Sequence, residues 1–341
     1  MSATGLPFDD IRALLSQIRG PDGAALHNAR HREETLAKPE GSLGRLEELS
    51  AWLAAWQGRS PAVTRPVVAI FAANHGVAAR GVSAYPTSVT RQMVETFAAG
   101  GAAINQICAT YDLGLKVFDL ALDFPTGDIS REAALDEKAC AATMAFGMEC
   151  LQGEPDLLCV GEMGIGNSAV SAAVLAGLFG GTAKEWVGPG SGLTGEALAH
   201  KASVVQEALD LHRAHLSDPL EVLRRLGGRE IAAMAGAILA ARIQRVPVII
   251  DGFAASAAAG VLHKLDARAL DHCLFAHVSA EPGHRKALEA MNKVPLLALG
   301  IGLSQGAGAA LAAGLVKAAA ACHSGMATFE QAGVSERERS F

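Results

Sequence analysis

The residues that could do chemistry are carboxylates, amides and lysines set among glycines, and they gather at a few points. One is Gly161-Glu162-Met163-Gly164-Ile165-Gly166-Asn167-Ser168, which follows an aliphatic run and leads straight into an Ala/Val segment. Glycines there let the backbone turn tightly and approach a ligand, and Asn167 or Ser168 can cap the helix that follows. Helix N-termini present N–H groups to anions such as phosphate. Glu162, the carboxylate inside the loop, is the candidate for moving a proton or steadying a cation. A second point is Val187-Gly188-Pro189-Gly190-Ser191-Gly192-Leu193, ahead of a helical segment carrying Lys201. Loop amides and one ammonium make a phosphate site without further apparatus. Each loop also has a bland reading: a strand-to-helix turn with packing glycines, or an ordinary turn beside a solvent-facing lysine.

Spacing excludes the common nucleotide motifs. GxGxxG with an acid about 20 residues later is absent, as is GxxxxGK[ST]. The six cysteines include no CxxC pair, so zinc and redox motifs are absent and the thiols read as buried and reduced. His75, His277 and His284, in Asn74-His75-Gly76 and near Ser279-Ala280-Glu281-Pro282-Gly283-His284, read as structural, and Asp251-Gly252-Phe253 as strand-end punctuation. The net charge of −6 is spread without long runs, which excludes an extended basic surface for nucleic acid or anionic lipid. Residues 1–10 show no secretory signal, and the most apolar stretches, 232–241 and 296–315, are short or rich in Gly and Ala. A cytoplasmic protein with no membrane or nucleic-acid partner is expected.

The elements that must position these residues follow from periodicity. Short aliphatic runs at 66–71, 115–120, 156–160, 246–251, 274–278 and 295–299 read as buried strands. Between them, segments at 89–111, 169–178, 194–215, 229–243 and 306–322 have helical spacing. The alternation predicts an α/β fold, a mostly parallel sheet with helices on both faces. With only 5% aromatic residues and 37 glycines, helices should pack closely through small side chains. Residues 1–60 break the rhythm with helices at 9–18, 24–36 and 43–56, which should join C-terminal helices in a small lobe. The expected organisation is 1–60 as a helical segment, 61–300 as the main α/β domain, and 301–341 as a helical segment with a frayed tail from 334.

Taken in order, KPEGSLGRLE at 38–47, NHGV at 74–77, GEMGIGN at 161–167, VGPGSG at 187–192, GREIAAMAGAILAA at 228–241, DGF at 251–253 and SAEPGH at 279–284 resemble the nicotinate-nucleotide:dimethylbenzimidazole phosphoribosyltransferases of cobalamin assembly. The resemblance implies a homodimer with a Rossmann-like parallel sheet, a small helical lobe and an active site near the subunit interface, and no metal or organic cofactor. It implies transfer of the 5-phosphoribosyl group of nicotinate mononucleotide to 5,6-dimethylbenzimidazole or a related aromatic base. Phosphate and nucleotide would be held at Gly161, Gly164, Gly166, Asn167, Gly188, Gly190, Ser191 and Lys201. The acceptor base would lie against Tyr85, Met93 and Leu303, where Tyr85 and Met93 replace smaller or polar residues common in the family.

One loop departs from the family pattern. The family's general base is the Glu of a run near R-L-G-E-G-T-G-A-A-L, and here Gly302-Leu303-Ser304-Gln305-Gly306-Ala307-Gly308 places Gln305 at that position. An amide orients by hydrogen bonding but takes no proton at neutral pH. Three readings are open: an enzyme using a substitute base, Glu162 or water; a catalytically impaired paralogue or the partner of an intact subunit; or a sequence altered at this position. If nothing else does the base work, Gln305→Glu should raise turnover at least tenfold.

Overall fold

The computed structural model describes residues 7–335. Six strands, β1 Pro66–Ala72, β2 Gly114–Asp119, β3 Leu157–Met163, β4 Val248–Ile250, β5 Cys273–His277 and β6 Pro295–Leu297, form one sheet in the order β2-β1-β3-β4-β5-β6. Every pairing is parallel, so the sheet is wholly rather than mostly so. Side chains alternate between faces with period two. Val68, Ile70, Leu157, Cys159 and Ile249 enter one apolar cluster, while Ala69, Phe71, Leu158, Val160 and Ile250 enter the other. Both faces are therefore covered, which is why these strands read as continuous apolar runs.

Helices Asn167–Phe179, Arg229–Gln244 and Phe253–Leu265 cover one face, and Ala103–Tyr111 and Ala307–Gly325 the other. Alanine and glycine set the close approach. A Cβ at Gly236 would lie 1.9 Å from the Met144 carbonyl oxygen, so Arg229–Gln244 meets Glu137–Met148 nearly backbone to backbone. The apolar helix Ala307–Gly325 is long enough to cross a membrane, but it packs between the sheet and Arg45–Gln57.

Three expectations need correction. The segment 89–111 is two helices, Ser88–Ala98 and Ala103–Tyr111, because Gly100 turns left-handed at φ +79° between them. Among the first helices, Gly23–Thr35 and Arg45–Gln57 join the C-terminal region, where Arg32 donates to the carbonyls of His323, Ser324 and Met326. Pro7–Leu15 does not: Phe8 and Ile11 enter the other core beside Glu137–Met148. Third, β3 runs on to Met163, so Gly161 and Glu162 belong to a strand. Of the expected tail, 336–341 lie outside the described residues.

The chain places β2 and then β3 on opposite sides of β1, making a topological switch point at the carboxyl ends of β1 and β3. Ligands of open parallel sheets bind at such a crevice.

Candidate active site

A cavity of about 440 Å³ opens above the carboxyl ends of β3, β4 and β5. Strand alternation divides its floor. Gly161 and Met163 point toward the start of Ala307–Gly325, whereas Glu162 points to the opposite side. A Cβ at Gly161 would sit 2.5 Å from the Gly306 nitrogen. Gly161, which the sequence reading placed among the phosphate ligands, is a packing glycine outside the cavity lining, and the demand on it comes from Gly306.

Glu162 is 3% exposed, accepts from the Asn167 amide and is hydrogen-bonded by Ser304. Burial, followed by the neighbouring Glu230 carboxylate, pushes its carboxyl up to about 8. Such a group holds its proton at low pH and becomes a usable base slightly above neutrality. The cap of Asn167–Phe179 is Gly166, at φ +93°, rather than Asn167 or Ser168. Those two side chains are free for the site: Asn167 reaches Glu162, and the Ser168 hydroxyl receives Lys201.

Lys201 is fully buried instead of solvent-facing, and its Nζ donates to Ser168 Oγ and the Gly188 carbonyl, both at 2.9 Å. Burial lowers its ammonium to about 8. Gly190, at φ +56°, brings backbone beside this ammonium; a Cβ there would lie 2.9 Å from Nζ and 2.5 Å from Ser168 Oγ. The Gly190 N–H donates to Glu281 Oε1 at 2.7 Å. Ser191 Oγ accepts from the Ala84 N–H at 3.2 Å and lies 3.1 Å from Ser83 Oγ, which ties this loop to the segment bearing Tyr85. Gly164, Gly166, Asn167, Ser168, Gly190 and Ser191 line the cavity, whereas Gly188 and Lys201 stand immediately behind it.

Gln305 is 8% exposed and lines the same cavity, its amide 3.6 Å from Met163 Sδ. Its φ of +72° is left-handed, a conformation that costs a side-chain-bearing residue about 1–3 kcal/mol. Tyr85, Met93 and Leu303 line the outer wall, and Tyr85 and Leu303 are 55% and 45% exposed. Sequence reasoning did not single out Met163 or Phe253, and it took His277 as structural; all three face this cavity. Ser304 had drawn notice only as a departure from the family pattern. Among the described residues no group of three or more His, Cys, Asp and Glu converges as a metal site would require.

Residues 18–334 match a family model described as phosphoribosyltransferase. Nicotinate-nucleotide–dimethylbenzimidazole phosphoribosyltransferases of Rhizobium meliloti and Sinorhizobium fredii are 69% and 68% identical to this chain, over 99% of it and 100% of their own lengths. The crystal structure of the similarly named enzyme from Thermus thermophilus superposes with a TM-score of 0.84 at 38% identity, covering 93% of this chain and all of its own.

Proposed function

The chain belongs to the nicotinate-nucleotide–dimethylbenzimidazole phosphoribosyltransferase family, and on that premise we propose that Glu162, rather than Gln305, accepts the proton released in its reaction. It is a pentosyltransferase of cobalamin assembly, moving the 5-phosphoribosyl group of nicotinate mononucleotide to 5,6-dimethylbenzimidazole. The observation that carries the assignment of the base is the burial of Glu162 in the cavity floor, with its carboxyl pushed up to about 8 between Asn167 and Ser304. The relatives named above carry the enzyme's name, and nothing favours an impaired paralogue over a working enzyme.

In the donor, the pyridinium nitrogen already activates C1′. As the acceptor nitrogen's lone pair bonds to C1′, the C1′–N bond breaks, and its electrons return to the pyridine ring of neutral-nitrogen nicotinate. No acid is needed for that departure. The alkylated benzimidazolium then gives its remaining N–H proton to Glu162. The same carboxylate, once ionised, steadies the cationic character at C1′ in a water-poor site. Gln305 orients the acceptor through its amide. The phosphate lies on the amides of Gly164 and Gly166, with Gly188, Gly190, Ser191 and Lys201 around it. Tyr85, Met93 and Leu303 shape the acceptor pocket.

A homodimer in the cytoplasm completes the proposal. The five buried cysteines, with Cys150 and Cys273 pushed up to about 12 by burial, suit a reducing compartment. Light scattering should give twice the chain mass; a monomer, or function only with a second subunit, would contradict this part. The assignment of the base is tested by Glu162→Gln, whose kcat should fall about 10²–10⁴-fold.

A further inference from the structure

Left-handed backbone at two successive residues, Gln305 at φ +72° and Gly306 at φ +77°, aims the Ser304 and Gln305 side chains at Glu162 and Met163. Glycine takes this conformation freely; glutamine needs something to hold it. Beneath the turn lies Asp251, 1% exposed, at the end of β4. Its Oδ2 accepts the Gly306 N–H at 3.0 Å and its Oδ1 the Ala309 N–H at 2.9 Å, and the Gly308 N–H is also directed at it. The carboxylate thus binds the first turn of Ala307–Gly325 and fixes where the chain enters that helix.

His277, also 1% exposed, packs beside the same carboxylate, with Nε2 3.8 Å from Oδ1. Neither ring nitrogen has a hydrogen-bond partner. The ring fills the space that a side chain at 308 would need, because a Cβ on Gly308 would lie 2.1 Å from His277 Cδ2. His284 beside it is committed elsewhere: its Nδ1 accepts the Ser279 N–H at 2.9 Å, which leaves the proton on Nε2, 2.9 Å from Ser256 Oγ. A buried carboxylate is costly unless it is paired or hydrogen-bonded, and here its bonds go to one object, the turn that carries the site.

We propose that Asp251, buttressed by His277, is the positioning residue that holds the Ser304–Gln305 turn in its left-handed path and so sets Ser304 against Glu162. This rests on the reading of Glu162 as the reacting base. The charged groups facing Glu162 are Glu230 from Arg229–Gln244 and Asp251 from the end of β4. His75 after β1 pairs with Glu230 at 2.9 Å, and Lys201 stands behind Ser168. Loss of the Asp251 charge alone would ease ionisation of Glu162, but loss of the Ser304 hydrogen bond, the larger of the two influences, hinders it more.

The test is Asp251→Asn in the full chain, in which one amide N–H must oppose a backbone N–H of the turn. The expected result is a kcat at least tenfold lower, a KM for nicotinate mononucleotide within about threefold of wild type, and an acid limb of the kcat/KM profile moved to higher pH as Glu162 loses the Ser304 hydrogen bond. With the turn held in place by other contacts, loss of the charge alone would move that limb to lower pH instead. Wild-type kcat, a limb that is unmoved or moves to lower pH, or a loss confined to KM, overturns the proposal. If Asp251→Asn does not fold, His277→Gln decides: kcat lowered at least threefold at unchanged KM supports the buttress, and wild-type kcat overturns it. Glu162→Gln, assayed alongside, separates the two readings. If its turnover and pH profile are those of wild type, the base assignment fails. If it loses turnover while Asp251→Asn does not, the positioning role alone fails.

Discussion

The pH dependence of kcat/KM carries the sharpest consequence of the site's electrostatics. Glu162 must be ionised to take a proton, and Lys201 must be protonated to hold phosphate. Burial moves the two toward each other, with the carboxyl pushed up to about 8 and the ammonium lowered to about 8. For the free enzyme, about a tenth of Glu162 is ionised at pH 7 and about nine tenths at pH 9, while Lys201 loses its charge over the same interval. The profile of kcat/KM, which reports the free enzyme, should therefore be a narrow bell centred near pH 8. With the nucleotide bound, the pyridinium cation favours the Glu162 carboxylate and the phosphate favours the Lys201 ammonium. Both limbs of the kcat profile should then move outward, leaving a broad plateau. Initial rates of nicotinate release between pH 6 and 10, in buffers of constant ionic strength, supply both curves. Glu162→Gln should abolish the acid limb and lower kcat about 10²–10⁴-fold. A flat kcat/KM between pH 7 and 9, or an acid limb that survives in Glu162→Gln, would refute the reasoning.

Other consequences follow from the same contacts. Lys201→Ala should weaken nicotinate mononucleotide binding by about 1.5–3 kcal/mol, the range for hydrogen bonds to charged groups, and calorimetry on the two proteins checks this. Glu162, with a folded-state value raised from 4.5 to about 8, contributes stability that is full below 4.5 and is lost as pH rises through 8, with a ceiling of about 5 kcal/mol. Glu162→Gln should thus raise the unfolding temperature relative to wild type more at pH 9 than at pH 5. Gln305→Glu should change turnover less than tenfold, because a new carboxylate facing Met163 and Glu162 joins Asp251 and Glu230 in a crowd of like charges; a larger gain would return the base role to position 305. Tyr85→Ser should narrow the preference between 5,6-dimethylbenzimidazole and adenine by about threefold to tenfold, the worth of an aromatic contact, in a competition assay.

The strands were legible because each is a short aliphatic run, buried through the central four and half-buried at the edges β2 and β6, and every expected run lies on a strand of the sheet. The end of β3 was not. Gly161 and Glu162 look like loop punctuation, and the reason for glycine at 161 is the Gly306 backbone, 145 positions away in sequence and touching only in the fold. Helix 89–111 was misjudged because its spacing survives across Gly100-Gly101 while its backbone does not. In the site, Glu162, Asn167, Gly190 and Lys201 could be named from glycine-loop chemistry and the family pattern. Lys201 was expected beside the phosphate, with a solvent-facing lysine as the alternative, but nothing in its neighbourhood in sequence reveals that Ser168 and the Gly188 carbonyl enclose it. Asp251 follows β4 and His277 ends β5, whereas Gln305 sits in the turn before Ala307–Gly325, and no motif links the three. Only the parallel order β3-β4-β5 brings them beneath its turn.

The central claim, that this chain by itself transfers a phosphoribosyl group with Glu162 as base, is tested most directly by a product assay on the purified protein. Nicotinate mononucleotide and 5,6-dimethylbenzimidazole are supplied at pH 8, and wild type is run beside Glu162→Gln. Stoichiometric α-ribazole 5′-phosphate and nicotinate from wild type, with the rate lowered at least a hundredfold in the variant, is the expected result. No product from the wild-type chain alone, or equal rates from the two proteins, would contradict it.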